Sequence, residues 1–228
     1  MQIFVDSANL GEIECWLRQG IVDGVTTNPS IMLKDGVSDM EARARQLCKL
    51  LIDRPVSIEV TTNDPREMLQ QARVFAKWAR NVVIKIPVIT EDGKSCLEVV
   101  NALTREEIAV NCTALLSFNQ AILAAKAGAT YVSIFAGRIA DEGGDSNIVV
   151  RNVRAWLDQW AYPSRIIVGS IRAAIDVQNA ALAGAHVVTV PPQFLSKMVD
   201  HRHTRETVRQ FNQDAEKAMA QIRQAQLA

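Results

Sequence analysis

Eight short runs rich in Val and Ile punctuate the chain. They are residues 3–6 (IFVD), 24–28 (GVTTN), 56–60 (VSIEV) and 82–86 (VVIKI), then 108–113 (IAVNCT), 131–135 (YVSIF), 165–171 (RIIVGSI) and 186–190 (HVVTV). Each is apolar at most positions, as a strand buried on both faces should be. Between them the spacing turns helical. In 9–20, Ile13, Trp16 and Leu17 share a face and Gly20 marks a stop. In 64–80 an Asp-Pro start precedes apolar positions at Met68, Leu69, Ala72, Phe75, Ala76 and Ala79. Residues 117–129 open on a Ser cap, 176–185 repeat the form, and Thr204 to about Gln226 predicts a long amphipathic helix.

Strands that alternate with helices predict βαβ units and a parallel sheet. Eight such units in about 200 residues suit the compact end of the α/β class known as the (β/α)8 TIM barrel. An open, doubly wound sheet is the rival arrangement, but no GxGxxG follows the first strand. No linker, low-complexity tract or charge block divides the chain. Residues 1–228 are therefore read as a single barrel domain that includes a C-terminal helix at about 204–226.

Charge changes little in this picture. The chain has 25 Lys and Arg against 25 Asp and Glu, a formal net charge of zero. It carries no electrostatic footprint for nucleic acid or an anionic membrane surface. No apolar run approaches the roughly 20 residues of a membrane span. The first ten residues, acidic at Asp6 and without a basic stretch, do not read as a secretory leader. A cytoplasmic protein is expected. Cys15, Cys48, Cys96 and Cys112 form no CxxC pair and are read as reduced thiols. No His, Asp and Glu set has metal spacing. The stretch DEGGD (141–145) is read as a loop without the spacing of a calcium site. His186 is expected to be structural, and His201 and His203 to be solvated.

In a barrel of this kind the active site lies at the C-terminal ends of the strands. Those ends carry Asp6, Asn28, Glu59 and Lys85, then Asn111 with Thr113, Ser133 followed by Arg138, and Ser170 followed by Arg172. Only the eighth strand names no candidate. Period two puts Asn111 and Thr113 on one face, and Ser133 with Phe135 on another. Ser170 and Arg172 share a face if their strand runs that far. Each residue also has an ordinary reading. Asp6 or Ser7 can cap the first helix and Asn28 the next. Glu59 and Lys85 can be a plain ion pair, and both arginines can be surface residues. Taken together, the charges need partners that a barrel mouth would supply.

Burial among apolar strands disfavours the charged form of a lysine amine. A neutral amine adds to a carbonyl and gives a Schiff base, an electron sink that permits carbon–carbon cleavage and its reverse. That chemistry needs a base at the hydroxyl beyond the bond and a proton relay for the carbinolamine. Asp6 and Glu59 are the carboxylates available. Arg138 and Arg172, with the Ser170 hydroxyl, suit a phosphate. These roles describe a class I aldolase or transaldolase acting on phosphorylated sugars. A pyridoxal phosphate barrel and a non-catalytic sugar phosphate binder are more distant alternatives.

The segments FVDSANLGEI, GIVDGVTTNPSI, VVIKIPV, AILAAKAGATYVSIFAGRI and GSIR resemble the transaldolase family, in its short, TalC-like branch, from residue 1 to about 195. The resemblance implies a (β/α)8 barrel with no metal or organic cofactor. It implies Lys85 as the Schiff-base lysine, Asp6 as general acid/base, and Glu59 with Thr113 as holders of the catalytic water. It further implies Asn28 and Asn111 at substrate hydroxyls, a phosphate site of Arg138, Ser170 and Arg172, and Ser133 and Phe135 lining the pocket. The implied reaction moves a dihydroxyacetone unit from fructose 6-phosphate or sedoheptulose 7-phosphate to an aldose phosphate. The related fructose-6-phosphate aldolase has Gln in place of Glu59 and Tyr in place of Phe135, so both positions favour transfer over release. Residues 139–160 depart from the family pattern beside the expected phosphate site, which leaves a sulfonated or other anionic ketose as an alternative substrate. The C-terminal helix implies a homo-oligomer, pentamer or decamer; the alternative is a helix that closes its own barrel.

Overall fold

The computed structural model describes residues 1–227. In chain order the first half holds β1 (Gln2–Asp6), α1 (Leu10–Arg18), β2 (Gly24–Thr26), α2 (Pro29–Lys34), α3 (Met40–Leu51), β3 (Val56–Glu59), α4 (Pro65–Phe75), β4 (Val82–Pro87) and α5 (Leu97–Arg105). The second holds β5 (Val110–Leu115), α6 (Phe118–Lys126), β6 (Tyr131–Phe135), α7 (Ala136–Asp141), α8 (Ser146–Gln159), β7 (Arg165–Gly169), α9 (Ala174–Leu182), β8 (Val187–Val190), α10 (Pro192–Val199) and α11 (Arg202–Leu227). The eight strands pair in sequence order, all parallel, and close when β1 pairs with β8 from Gln2↔Val187 to Val5↔Val190. The expected (β/α)8 barrel is the observed fold.

The helices start where their sequences provide an oxygen for the free N–H groups of the first turn. Asn9, Asn28, Asp39, Asp64, Ser117 and Asp145 each accept from a backbone N–H two or three residues on. Pro follows two of these caps, at Pro29 and Pro65, where its fixed φ fits the first helical position. Asn28 is thus a cap, and β2 ends at Thr26 rather than running to residue 28. The first helix takes its cap from Asn9, which leaves Asp6 free of that task.

Inside the barrel the chain builds two levels. Phe4, Val83, Tyr131, Ile167 and Val187 form a closed apolar cluster. Two residues further along the same strands stand Asp6, Lys85, Ser133, Gly169 and Thr189. Period-two alternation keeps each pair on one face. A packed plug thus floors a polar level at the strands' C-terminal ends. Gly24 makes room for the plug: a Cβ there would stand 2.7 Å from the Phe4 ring.

The described residues divide into two compact units, Met1–Pro192 and the segment from Gln193 on. In the second, α11 is laced by the pairs Arg202–Glu206 and Gln210–Asp214, each spaced i, i+4. Val208, Phe211, Met219 and Ile222 form an exposed apolar stripe along it. His201 and His203 are exposed, as expected. His186 is structural: its Nδ1 accepts from the Ile166 N–H at 3.0 Å, and burial holds its pKa below the usual histidine range. All four cysteines are free thiols, and burial raises Cys48 to about 11 and Cys112 to about 12. Among the described residues no helix is long and apolar enough to cross a membrane.

Candidate active site

A cavity of about 240 Å³ opens above the plug. Asp6, Asn28 and Lys85 line one part of it; Ser133, Phe135, Arg138 and Ser170 line another. Thr26, Ser30, Gly169 and Thr189 complete the wall. The residues read from β1, β2, β4, β6 and β7 therefore meet around one space.

Lys85 sits on β4 with only 4 % of its surface exposed. Its Nζ donates to the Thr27 carbonyl at 2.9 Å and lies 3.0 Å from Oε2 of Glu59. The register explains the second contact, because Glu59 and Lys85 are paired neighbours on β3 and β4. From sequence the amine is expected in apolar company, and this is corrected. Ile84 and Ile86 face away from the barrel axis, since neighbouring side chains alternate. Inside, the amine meets a carboxylate and a carbonyl.

Asp6 lines the cavity and accepts from the Thr26 hydroxyl at 2.7 Å. Thr26 Oγ1 lies 2.5 Å from Thr189 Oγ1. Burial raises the Asp6 carboxyl above the usual carboxylate range. The positive charge of Lys85 and the Thr26 hydrogen bond pull the other way and do not cancel it.

Asn111 and Thr113 stand on β5, the strand next to that of Lys85, and are not among the residues that line this cavity. Asn111 is the register partner of Lys85, and Thr113 that of Pro87. Nδ2 of Asn111 donates to the Ser57 hydroxyl at 3.2 Å. Oδ1 of Asn111 and Oγ1 of Thr113 are buried without a protein partner among the described residues. An unpaired buried oxygen costs about 1–3 kcal/mol. A water or ligand that accepts or donates there is one way such a cost is offset. The β5 register shifts just beyond, at Ala114, whose φ is +60°.

The anion-binding side differs from expectation at Arg172. The strand stops at Gly169, and Ser170 turns left-handed at φ +59°. This breaks the alternation, so Ser170 and Arg172 do not share a strand face. Ser170 and Arg138 reach the cavity. Arg172 instead donates to Asp141 at 2.7 Å and borders a separate cavity of about 120 Å³ along α7, α8 and α9. Gly137 permits the close approach of α7 to this turn. A Cβ there would overlap the Ser170 carbonyl oxygen and stand 2.8 Å from Nε of Arg172. The Gly137 N–H donates to that same carbonyl at 3.1 Å.

Thr26, Ser30 and Thr189 were not singled out from sequence. The signal for two of them was present. Thr26 lies two residues before Asn28, and Thr189 is the one polar residue between the valines of the eighth strand. DEGGD is a link, as expected: it runs from the end of α7 to Asp145, the cap of α8. Among the described residues no group of three His, Cys, Asp or Glu side chains is arranged to hold a metal ion.

Comparison with known proteins agrees with this architecture. The family model described as Transaldolase/Fructose-6-phosphate aldolase matches residues 3–228. A probable transaldolase of Dehalococcoides mccartyi is 41% identical over 214 residues, covering 94% of this chain and 97% of the relative. A probable transaldolase 2 of Listeria monocytogenes is 41% identical over 216 residues, 95% of this chain and 96% of its own. Among solved structures, a mutant mandelate oxidase superposes with a TM-score of 0.56 at 17% identity, over 84% of this chain and 64% of the oxidase. A designed cube-shaped protein cage gives 0.61 at 13% identity, over 96% and 78%. At such identities these two share the fold alone.

Proposed function

The chain belongs to the Transaldolase/Fructose-6-phosphate aldolase family, and on that premise we propose that it is a transaldolase working through a Schiff base on Lys85. It would move a dihydroxyacetone unit from fructose 6-phosphate or sedoheptulose 7-phosphate to an aldose phosphate. The observation that carries this reading is the buried Lys85 amine, 3.0 Å from the Glu59 carboxylate, on a cavity shared with Asp6 and Arg138. The names of the relatives support transfer, as do Glu59 and Phe135 at the positions where the aldolase has Gln and Tyr.

Glu59 is close enough to take a proton from Nζ. The freed lone pair adds to the ketone carbon, and the carbinolamine loses water to give the iminium. Asp6 takes the proton of the C4 hydroxyl, the C3–C4 bond breaks, and its electrons pass into the iminium to form an enamine. The aldehyde leaves, an acceptor aldehyde enters, and the steps reverse. A carboxyl held above its usual range suits a group that must carry a proton in mid-cycle. Glu59 and Thr113 would hold the water that is lost and regained; the unpartnered Thr113 oxygen supports this. Asn28 and Asn111 would bind substrate hydroxyls, with Ser133 and Phe135 shaping the wall. Arg138 and Ser170 would hold the phosphate, joined by Arg172 when it leaves Asp141. The exposed stripe on α11 supports a homo-oligomer, which light scattering would test.

Borohydride added with fructose 6-phosphate should trap a covalent adduct on Lys85, and Lys85→Ala should abolish it. An adduct that survives this substitution would overturn the mechanism. Free dihydroxyacetone as the main product with an acceptor present would reassign the enzyme as an aldolase.

A further inference from the structure

The eighth strand supplies Thr189, 5 % exposed, on the seam that closes the barrel. Its hydroxyl is 2.5 Å from that of Thr26, which in turn is 2.7 Å from Oδ1 of Asp6. A threonine hydroxyl has one proton to donate and lone pairs to accept. While Asp6 is a carboxylate it can only accept. Thr26 must then spend its single proton on Asp6, and Thr189 must donate to Thr26. The three groups form a chain with a defined direction, set by proton count alone.

We propose that Thr189 is a positioning residue: through Thr26 it holds and polarises the hydrogen bond to Asp6, which leaves Oδ2 of Asp6 for the substrate. Chains of this kind strengthen each member, because each donor is also an acceptor. The chain also keeps its direction when Asp6 becomes protonated. A proton taken from the substrate lands on Oδ2 of Asp6, while Oδ1 goes on accepting from Thr26 and Thr26 from Thr189. No covalent bond forms or breaks beyond the transfer onto Asp6, so both protonation states of Asp6 are satisfied without moving a side chain. The other groups that act on Asp6 are Lys85 from β4, Glu59 from β3 and Asp35 after α2. Among the described residues none of these is hydrogen-bonded to Thr189, which makes its contribution separable.

The consequence for catalysis rests on the reading of Asp6 as the acid/base of a transaldolase. The titration of Asp6 in the free protein does not. Thr189→Val keeps the branched shape and removes the hydroxyl. With ¹³C-labelled aspartate, the Asp6 carboxyl should titrate roughly 0.3–0.5 pH unit higher in Thr189→Val, the size expected for the loss of one indirect hydrogen bond. Thr189→Ser should restore the wild-type midpoint. Thr26→Val should shift it further, and adding Thr189→Val to Thr26→Val should change nothing more, since Thr189 acts only through Thr26. The kcat of Thr189→Val should fall about twofold to fivefold with KM little changed. If the valine variant does not fold, Thr189→Ala serves for the same titration. An unchanged Asp6 midpoint, or an equal shift in the Thr26→Val background, overturns the proposal. A shifted midpoint in a protein that shows no Lys85 adduct would uphold the chain and reject the transaldolase reading.

Discussion

Glu59 and Lys85 are register partners on adjacent parallel strands, and their charged ends lie 3.0 Å apart, with Lys85 on the cavity wall. The lysine side chain is buried at 5% exposed and the carboxylate is partly buried at 21%. In such a place a carboxylate is both a partner for the ammonium and an acceptor for its proton. Glu59→Gln keeps the shape and removes that acceptor. Transfer to an acceptor aldehyde should fall by about 100-fold, within the range for loss of one acid/base group. Free dihydroxyacetone should rise as a share of product. Product analysis with and without acceptor checks both, and an unchanged transfer rate would remove Glu59 from the mechanism.

Asp6 links function to stability. Its folded pKa is raised, chiefly by burial, so the folded protein binds a proton more readily there than the unfolded chain does. Where the unfolded state binds fewer protons, stability falls as pH rises. The loss begins near the unperturbed value of 3.8 and is complete above the folded pKa. Asp6→Asn removes this cost. The variant should be more stable than the wild type at neutral pH, with the gap narrowing towards acid, while transfer activity drops by about 100-fold. Urea melts across pH measure the difference. A variant less stable than wild type at pH 7 would contradict it.

Asp141 holds Arg172 away from the cavity that Arg138 and Ser170 line. The pair is about half exposed on each side, so its grip is weak, of order 0–1 kcal/mol. Asp141→Asn should free Arg172 for an anionic substrate. KM for a phosphorylated sugar is expected to fall by about twofold to fivefold, with kcat unchanged and no effect on an unphosphorylated one. The same gain with both substrates would show that Asp141 does not act through the anion.

Gly137 lets α7 touch the Ser170 turn. Gly137→Ala drives a methyl group into the Ser170 carbonyl and towards the Arg172 guanidinium. Overpacking of this kind costs about 1–3 kcal/mol. Thermal melts should show the loss, and KM for a phosphorylated sugar should rise as Arg138 and Ser170 are pushed apart. A variant with wild-type melting and KM would mean that the turn gives way freely.

The fold was legible because it is written in local pattern. Val- and Ile-rich runs alternate with capped amphipathic segments, and the eight closed strands follow from their number and order. Asp6, Lys85 and Ser133 were legible for the same reason, since a polar residue at the end of a buried strand is conspicuous; Asn28, Arg138 and Ser170 stand just past strand ends, and Phe135 shares the face of Ser133 by period two. Thr26 and Thr189 escaped because a threonine within a valine-rich strand reads as an ordinary β-branched residue.

By itself the sequence determined the alternation of elements, the helix starts and the polar strand ends, since each depends on residues within a turn or two of one another. Tertiary structure decided the rest. Pairing register put Glu59 beside Lys85, and barrel closure brought Thr189 to Thr26 across 163 positions of chain. A left-handed turn at Ser170 sent Arg172 to Asp141 instead of the cavity. The period of a strand says which face a side chain takes, but the neighbour it meets there is set by register, closure and the backbone turn at the strand's end.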